Sequence, residues 1–207
     1  MQREGPLVKI IDISRDTLTS PVYPGDPMPT AKILTSLLKE DLFNTSAFSA
    51  SSHAGTHIDA PLHCYNDGLP INALELDLFF GECTVVEVPE GIITGEYVER
   101  RFPRCRSRIL IRGNGRASLH ETAANQLVHQ GVRLIGIDSM SIAEGDSSVK
   151  AHRIFLSAGV PIIEGLDLSA AQAGSYFLSA LPLKLGGLEA APVRAVLISD
   201  HIFWSTK

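Results

Sequence analysis

The sequence predicts a mixed α/β protein in which strands outnumber helices. Apolar strand patterns at residues 108–112 and 133–138 flank a helical pattern at 119–130, which makes a strand–helix–strand unit. The remaining strands do not alternate regularly with helices, so a purely doubly wound parallel sheet is not expected. The chain has 207 residues, 44% of them hydrophobic, and no linker rich in Pro, Gly or Ser. We therefore treat residues 1–207 as one domain.

The first half of the chain is predicted to hold strands joined by a rigid loop. Residues 8–14 form a short apolar strand, and residues 48–52 and 83–88 are candidates for further strands. Residues 21–27 cannot continue a strand, because their three prolines remove backbone donors and restrict the residues that precede them. We expect a rigid loop there, with Tyr23 held on it.

A well-bounded helix is predicted at residues 119–130. Ser118 is the expected N-cap, Glu121 the capping-box partner, and Gly131 the residue that ends the helix. Three further elements are predicted after this unit: a helix at 148–158 and strands at 160–164 and 193–199.

Composition and charge argue against a nucleic acid or a membrane as partner. The chain has 18 Lys and Arg against 23 Asp and Glu, a net charge of −5, and lacks the concentrated basic face that both partners require. One basic cluster lacks the interleaved aromatic residues of a single-strand binder, so we interpret it as a solvated face. It consists of Arg100, Arg101, Arg104, Arg106 and Arg108. No segment approaches the roughly 18 apolar residues needed to span a bilayer.

The cysteines indicate a reducing compartment. Cys64, Cys83 and Cys105 are too widely spaced for a thiolate zinc site or a disulfide framework, so we interpret them as free thiols. The first eleven residues also lack the apolar run of a signal peptide. We therefore expect a cytoplasmic protein.

Three of the seven histidines lie close together and share their segment with an aspartate. In an extended chain, the spacing His53-x3-His57-x-Asp59-x3-His63 points all four side chains to one side. A straight strand would nevertheless hold His53 and His57 roughly 13 Å apart. The chain must bend for both to reach one ion, and Gly55 is the residue best able to bend. We predict a bent strand or loop that carries ligands for Zn²⁺, Mn²⁺ or a related ion.

One segment rarely closes a metal site, so ligands from elsewhere are expected. Glu164 lies in an apolar run, where a buried carboxylate is costly unless paired or metal-bound; an edge-strand carboxylate in water is the alternative. His152 is expected on the second helix, on one face with Val149 and Leu156, and a core histidine is the alternative there. Asp138 follows a strand and is assigned to a turn or cap. The other histidines are interpreted as surface or packing residues: His120, His129 and His201.

The segment from His53 to His63 resembles the HxGTHxDxPxH signature of the metal-dependent, cyclase-like amidohydrolases. Within that family, the chain is most similar to the bacterial kynurenine formamidases (arylformamidases). The likeness covers nearly the whole chain, although residues 89–106 have no residue-by-residue match. It includes Pro21-Val-Tyr-Pro-Gly-Asp26, Asp67-Gly68-x-Pro70-Ile71, Gly136-Ile-Asp138, Ala151-His-Arg153, Glu164-Gly165, Ala180-Leu-Pro-Leu-Lys184 and Pro192-Val-Arg-Ala-Val196.

The resemblance implies a two-metal centre. His53, His57 and Asp59 would hold a first zinc ion, and Asp59 would bridge to a second ion bound by His152, with Glu164 bridging both. Zinc is the implied metal, at two ions per subunit, and manganese or another divalent ion is the alternative. The family also implies a single compact domain of the swivelling β/β/α type with a mixed sheet, in a homodimer or higher homo-oligomer.

The implied reaction is hydrolysis of an aryl formamide, N-formylkynurenine, to kynurenine and formate in tryptophan catabolism. His63 would act as general acid/base beside metal-activated water. Formamidases typically carry a tryptophan in the proline-rich loop, and here Tyr23 stands in its place as the substrate-stacking residue. Two alternatives stay open. One is a related hydrolase of another cyclic or aryl amide, an imide such as isatin, an ester or a lactone; the other is a non-catalytic metal- or ligand-binding protein.

Overall fold

A mixed nine-stranded sheet organises residues 8–199, the part of the chain that this computed structural model describes. The strands in chain order are β1 (Lys9–Asp12), β2 (Thr30–Thr35), β3 (Thr45–Ser49), β4 (His57–Asp59), β5 (Phe80–Glu87), β6 (Gly91–Ile93), β7 (Arg108–Arg112), β8 (Ala117–Leu119), β9 (Leu134–Ile137), β10 (Ile162–Glu164), β11 (Gly174–Ser179), β12 (Ala190–Pro192) and β13 (Val196–Ser199). The helices are α1 (Gly95–Arg101), α2 (Glu121–His129) and α3 (Asp146–Ser157). The sheet order is β1-β13-β11-β5-β7-β9-β10-β4-β12, and the pairs β2–β3 and β6–β8 form two small ribbons.

The centre of the large sheet is parallel and its two ends are antiparallel. Strands β5, β7, β9 and β10 pair in parallel, whereas β11, β13 and β1 on one side and β4 and β12 on the other pair antiparallel. The near-continuous apolar sequences of β7 and β9 suit strands that are buried on both faces. The fold is therefore a single α/β domain with a mixed sheet, and the predicted strand–helix–strand unit of β7, α2 and β9 is confirmed.

Two hydrophobic cores lie on opposite faces of the sheet. Along β7, Ile109 and Ile111 belong to the core beneath the helices, and Leu110 between them belongs to the other core, as strand alternation requires. Leu127 of α2 and Phe155 of α3 fill the first core.

The helix α2 begins later than predicted. Residues 117–119 form β8, which pairs with β6, so Ser118 and Leu119 are strand residues and the prediction of Ser118 as N-cap was wrong. His120 caps the helix instead, because its Nδ1 accepts a hydrogen bond from the backbone N–H of Thr122. Gly131 follows the end of the helix at φ +81°, as expected for a glycine in that position.

Other boundaries differ by a few residues. The strand predicted at 48–52 is β3, which ends at Ser49, because residues 50–52 already turn toward the histidine cluster. The proline-rich residues 21–27 hold no helix or strand, which confirms the predicted loop. Residues 89–106, which the sequence left unmatched, contain β6 and α1.

Arg108 does not belong to a solvated basic face, so that part of the prediction was wrong. It is the first residue of β7, and its guanidinium is buried beneath the turn before β5. There it donates hydrogen bonds to the carbonyl oxygens of Asp77, Leu78 and Glu82. A buried arginine that is satisfied in this way ties the start of β7 to its neighbour.

Two sequence expectations concern disulfides and membrane spans. All three cysteines are free; Cys64 is half-buried, Cys83 buried and Cys105 exposed. In the described part of the chain, no helix is long and apolar enough to cross a membrane. His201 lies outside the described residues.

Candidate metal centre

A tight turn brings the first two histidines of the cluster together. Gly55 has φ +65°, in the left-handed region that favours glycine, and a Cβ there would lie 2.9 Å from the Cα of Thr17. Immediately after this turn the chain enters β4, His57–Asp59. The imidazole rings of His53 and His57 are consequently only 4.9 Å apart between centres. The predicted bend at Gly55 is confirmed.

His63 reaches the cluster from a short 3₁₀ helix, Pro61–His63. Pro61 suits the first position of this turn, because its φ is already fixed near the helical value and no backbone donor is needed there. The ring centre of His63 lies 4.6 Å from that of His53 and 5.7 Å from that of His152. Unlike the other members of the cluster, His63 remains exposed to the solvent.

Two remote side chains complete the cluster. Glu164 lies opposite His57 because β10 and β4 pair antiparallel in that register. Since β10 lies between β9 and β4, Glu164 is buried in the sheet interior rather than on an edge strand. His152 extends from α3, and its Nε2 is 3.1 Å from Oε1 of Glu164 and 3.7 Å from Oδ2 of Asp59. The structure therefore brings the six predicted residues together.

The centre of the cluster fits a divalent metal ion. Nε2 of His57 and both carboxylate oxygens of Asp59 are buried, and none forms a hydrogen bond of good geometry with a described residue. Leaving such atoms unpaired is costly, unless an ion satisfies them. Oδ1 of Asp59 is 3.0 Å from Nδ1 of His53 and 3.5 Å from Nε2 of His57. A tetrahedral zinc ion with bonds near 2.0 Å holds its ligand atoms about 3.3 Å apart.

Asp59 is shared between two groups of donor atoms. One group comprises His53, His57 and Asp59, and the other Asp59, His63 and His152; within each, the ligand atoms lie within 4.8 Å of one another. A carboxylate has two oxygens, so Asp59 can offer one ligand atom to each group. Distance alone would allow His63 as a ligand, so its assignment as general acid/base stays a prediction.

Backbone carbonyls orient two of the imidazoles. Nδ1 of His57 donates a hydrogen bond to the carbonyl oxygen of Gly55 at 3.1 Å, and Nδ1 of His152 donates to that of Ser148 at 2.7 Å. A carbonyl oxygen can only accept, so the proton of each neutral ring lies on Nδ1. In both rings, Nε2 faces the carboxylates with its lone pair available for a metal.

In the metal-free protein, protons on His57 and His152 balance the negative charge of the buried carboxylates. Burial lowers the pKa of His57 and of His152, but the close contact with Glu164 and the charge of Asp59 outweigh it and raise each pKa to about 9. Burial raises the pKa of Glu164, but its contacts with the two histidines outweigh that effect and hold it below its ordinary value. The two imidazolium groups thus neutralise the buried carboxylates.

The pKa of His63 is shifted in the opposite direction, below its ordinary value. Burial lowers the pKa of His63, and the nearby His53 and His152 lower it further, while the charge of Asp59 opposes them. Its imidazole is therefore mostly neutral at pH 7 and can accept a proton.

A cavity of about 420 Å³ opens over the cluster, a volume within the usual range for small-molecule sites. Its walls combine apolar, aromatic and cationic side chains: Pro21, Tyr23, Met140, Val149, Arg15 and Arg153. Tyr23 is half-exposed on the proline-rich loop. Val149 and His152, predicted on one face of the second helix, both line the cavity, where Val149 is exposed and His152 buried.

Sequence reasoning missed two groups that support the cluster. Oε1 of Glu164 accepts hydrogen bonds from the backbone N–H of Ile142 at 2.6 Å and from Oγ of Ser141 at 3.1 Å. Oε1 of Glu189 lies 3.3 Å from Nε2 of His53. No local pattern marks these residues, because each is far along the chain from the side chain that it contacts.

Three other candidates lie apart from the cluster. Both carboxylate oxygens of Asp138 accept from the backbone N–H of Gly113, at 3.0 and 3.1 Å, which confirms its assignment to a turn. His120 caps α2, and His129 is exposed near the end of that helix. None of these residues is within the two donor groups.

Sequence comparison identifies relatives over most of the chain. Residues 11–144, which include the histidine cluster, match the Cyclase family. The chain is also similar to the kynurenine formamidase of Delftia acidovorans, at 37% identity over 190 residues. That alignment covers 86% of this chain and 91% of the relative.

Solved structures share the fold. A potential metal-dependent hydrolase with cyclase activity superposes with a TM-score of 0.79 at 28% identity, covering 94% of this chain and 99% of the other. Isatin hydrolase A from Labrenzia aggregata, bound to benzyl benzoate, superposes with the same TM-score of 0.79 at 19% identity, covering 92% and 93%. At that lower identity, the likeness concerns the fold alone. The predicted α/β architecture is confirmed by these neighbours.

Proposed function

Because this chain belongs to the Cyclase family of metal-dependent amidohydrolases, we propose that it hydrolyses the aryl formamide N-formylkynurenine to kynurenine and formate. The observation that carries the proposal is the buried carboxylate of Asp59, which has no hydrogen bond of good geometry and is shared between two groups of donor atoms beneath an open cavity. The similarity to a kynurenine formamidase over 86% of the chain supports the choice of substrate.

In this proposal, the cluster holds two divalent ions. His53, His57 and Asp59 bind the first, His152 binds the second, and Asp59 and Glu164 bridge them. Zinc suits the mixture of imidazole nitrogen and carboxylate oxygen, and manganese is the alternative. The spacing of 3.0 and 3.5 Å around Oδ1 of Asp59 supports the first of these sites.

His63 moves the proton in the reaction. A divalent metal, when bound, lowers the pKa of water toward 7 and polarises the formyl carbonyl. The neutral imidazole of His63 accepts a proton from the attacking water as the new C–O bond forms. It then returns this proton to the aniline nitrogen as the C–N bond breaks, so formate and the free amine leave. The exposed position of His63 beside the cavity allows contact with both groups.

The cavity walls suit the two ends of this substrate. Tyr23 provides an aromatic face on which the aryl ring can stack. Arg15 and Arg153 add positive charge to the same cavity, which complements the carboxylate that N-formylkynurenine carries and isatin lacks.

Turnover with and without a chelator tests the function. Purified protein should convert N-formylkynurenine to kynurenine, followed by ultraviolet absorbance, and a chelator should abolish the reaction until zinc or manganese is restored. Elemental analysis of the same sample should find a divalent metal. Full activity in the metal-stripped protein would contradict the proposal.

A second candidate function is hydrolysis of isatin or another cyclic amide, imide, ester or lactone. The tyrosine at position 23 favours it, because formamidases typically carry a tryptophan there, and an isatin hydrolase has the same fold. Isatin is therefore assayed beside N-formylkynurenine. A higher kcat/KM for isatin would select this alternative, and bound metal without turnover of either compound would leave a binding function.

We also propose that the protein is a homodimer or higher homo-oligomer. The ribbon of β2 and β3, with the turn between them, carries large exposed apolar side chains: Ile33, Leu34, Leu37, Leu38, Leu42, Phe43 and Phe48. An isolated two-stranded ribbon is only marginally stable in water, so this surface requires a covering partner. Light scattering should give at least twice the mass of the chain, and a monomer at micromolar concentration would contradict the proposal.

A cytoplasmic location and a place in tryptophan catabolism complete the proposal. The three free cysteines support a reducing compartment. Fractionation of cells of the source organism should recover the activity with the cytoplasmic enzymes, and recovery in an extracytoplasmic fraction would contradict the location.

Metal binding should release protons at neutral pH. With a pKa of about 9, His57 and His152 are protonated at pH 7 and must lose these protons before Nε2 can bind an ion. We expect about one proton released per bound ion at pH 7, which makes about two for the filled two-metal centre, and progressively fewer as the pH rises through 9. Calorimetry in buffers of different ionisation enthalpy measures this number. Binding heats that are independent of the buffer would contradict the expectation.

A further inference from the structure

Three of the four histidines in the cluster, His53, His57 and His152, have an acceptor at the ring nitrogen that faces away from the shared carboxylate. For His57 and His152, this acceptor is a backbone carbonyl oxygen, at 3.1 and 2.7 Å from Nδ1. His53 is oriented the other way: its Nδ1 faces Oδ1 of Asp59 at 3.0 Å, and its Nε2 faces Oε1 of Glu189 at 3.3 Å. A charged side chain thus stands where the other two rings have a neutral carbonyl.

Glu189 is held in place through both its carboxylate and its backbone. Oγ of Ser52, the residue before His53, donates a hydrogen bond to Oε1 of Glu189 at 2.5 Å. The backbone N–H of Ala60 donates to the carbonyl oxygen of Glu189 at 2.8 Å, just before β12 pairs with β4. The same strand pairing that positions Asp59 therefore positions Glu189 behind His53.

We propose that Glu189 is a positioning residue for the metal centre. Its Oε1 accepts a hydrogen bond from Nε2–H of His53. Nδ1 therefore keeps its lone pair toward Asp59, and the ring is held in this orientation. The negative charge of Glu189 also strengthens His53 as a ligand, as in other carboxylate–histidine–metal arrangements. This inference rests on the proposed binding of a divalent metal by His53, His57 and Asp59. Glu189 itself lies outside the donor groups formed by the described residues.

Zinc affinity of the full-length protein, measured by chelator competition after metal removal, tests the proposal. Glu189→Ala should bind zinc about 10–100-fold more weakly than the wild type. Glu189→Gln should lose less zinc affinity, because its amide oxygen can still accept a hydrogen bond from Nε2–H of His53. Glu99→Ala, which changes an exposed glutamate of α1, is the matched control and should bind zinc as the wild type does.

Nitrogen-15 NMR of the histidine rings gives a second readout that a purely structural role would not move. In the zinc-loaded wild type, His53 should carry its proton on Nε2, and Glu189→Ala should broaden or redistribute this signal. If Glu189→Ala does not fold, Glu189→Gln provides the test: it should still bind zinc more weakly than the wild type, because the negative charge behind His53 is lost.

Three results would overturn the inference: unchanged zinc affinity in a folded Glu189→Ala, a proton on Nδ1 of His53, or a wild type that binds no zinc. A wild type that binds zinc but hydrolyses none of the assayed substrates would refute the proposed function alone. The loss of zinc affinity in Glu189→Ala would then still support the positioning role.

Discussion

Asp59→Asn should remove the bound metal and abolish turnover. Asp59 is completely buried, and its two oxygens face the nitrogens of His53 and His57 on one side and of His152 on the other. Asparagine keeps the shape of the side chain but loses its negative charge. It also replaces one carboxylate oxygen with an NH₂ group, which can only donate hydrogen bonds. Because both donor groups share Asp59, we expect zinc binding to weaken by more than ~100-fold, beyond the loss typical of a supporting residue.

The matched control for this variant is Asp138→Asn. Asp138 is also buried, but it accepts its hydrogen bonds from Gly113 and lies in neither donor group. Its asparagine variant should keep metal and activity. Elemental analysis and circular dichroism of both variants separate loss of metal from loss of fold. A folded Asp59→Asn with the metal content of the wild type would refute the ligand assignment.

His63→Ala should keep the metal and lose turnover by roughly 10²–10⁴-fold, the usual contribution of a general acid/base. The expected loss lies in kcat, because His63 handles the proton in the transition state rather than holding the ions. Its pKa, held below the ordinary value by burial and by the neighbouring His53 and His152, keeps the ring ready to accept that proton at pH 7.

His129→Ala, an exposed histidine of α2 far from the cluster in sequence, is the control and should leave metal content and kcat unchanged. Two results would remove His63 from the proposed role. Full activity in His63→Ala would show that the reaction needs no proton transfer there. Loss of one metal ion would identify His63 as a ligand beside Asp59 and His152, which their spacing permits.

Much of the central fold could be predicted because its elements carry strong local patterns. The apolar runs of β7 and β9 and the helix between them were found with errors of a few residues. The main error was the prediction of Ser118 as a helix N-cap. Its cause lies in the tertiary structure, because residues 117–119 pair with β6 and form a strand. A local capping pattern cannot compete with a strand partner that supplies backbone hydrogen bonds.

The site was predictable where its residues are close in sequence. His53, His57 and Asp59 lie within seven residues, and Gly55 between the two histidines allows the turn that brings their imidazoles together. For His152 and Glu164, residue patterns alone left a core histidine and an edge-strand carboxylate open, and the family resemblance placed both at the metal centre. Burial and distances agree with that placement.

The sequence by itself determined the kind of chemistry: a dense group of imidazole and carboxylate ligands on a chain that a glycine allows to bend. Only the tertiary structure decided which atoms of those ligands face one another and which side chains support them from outside the cluster. The pairing of β4 with β10 and β12 places Glu164 opposite His57 and brings Glu189 to His53. The physical reason is that sequence patterns reflect the local path of the backbone, whereas the partner of a buried side chain depends on the order in which distant strands pair.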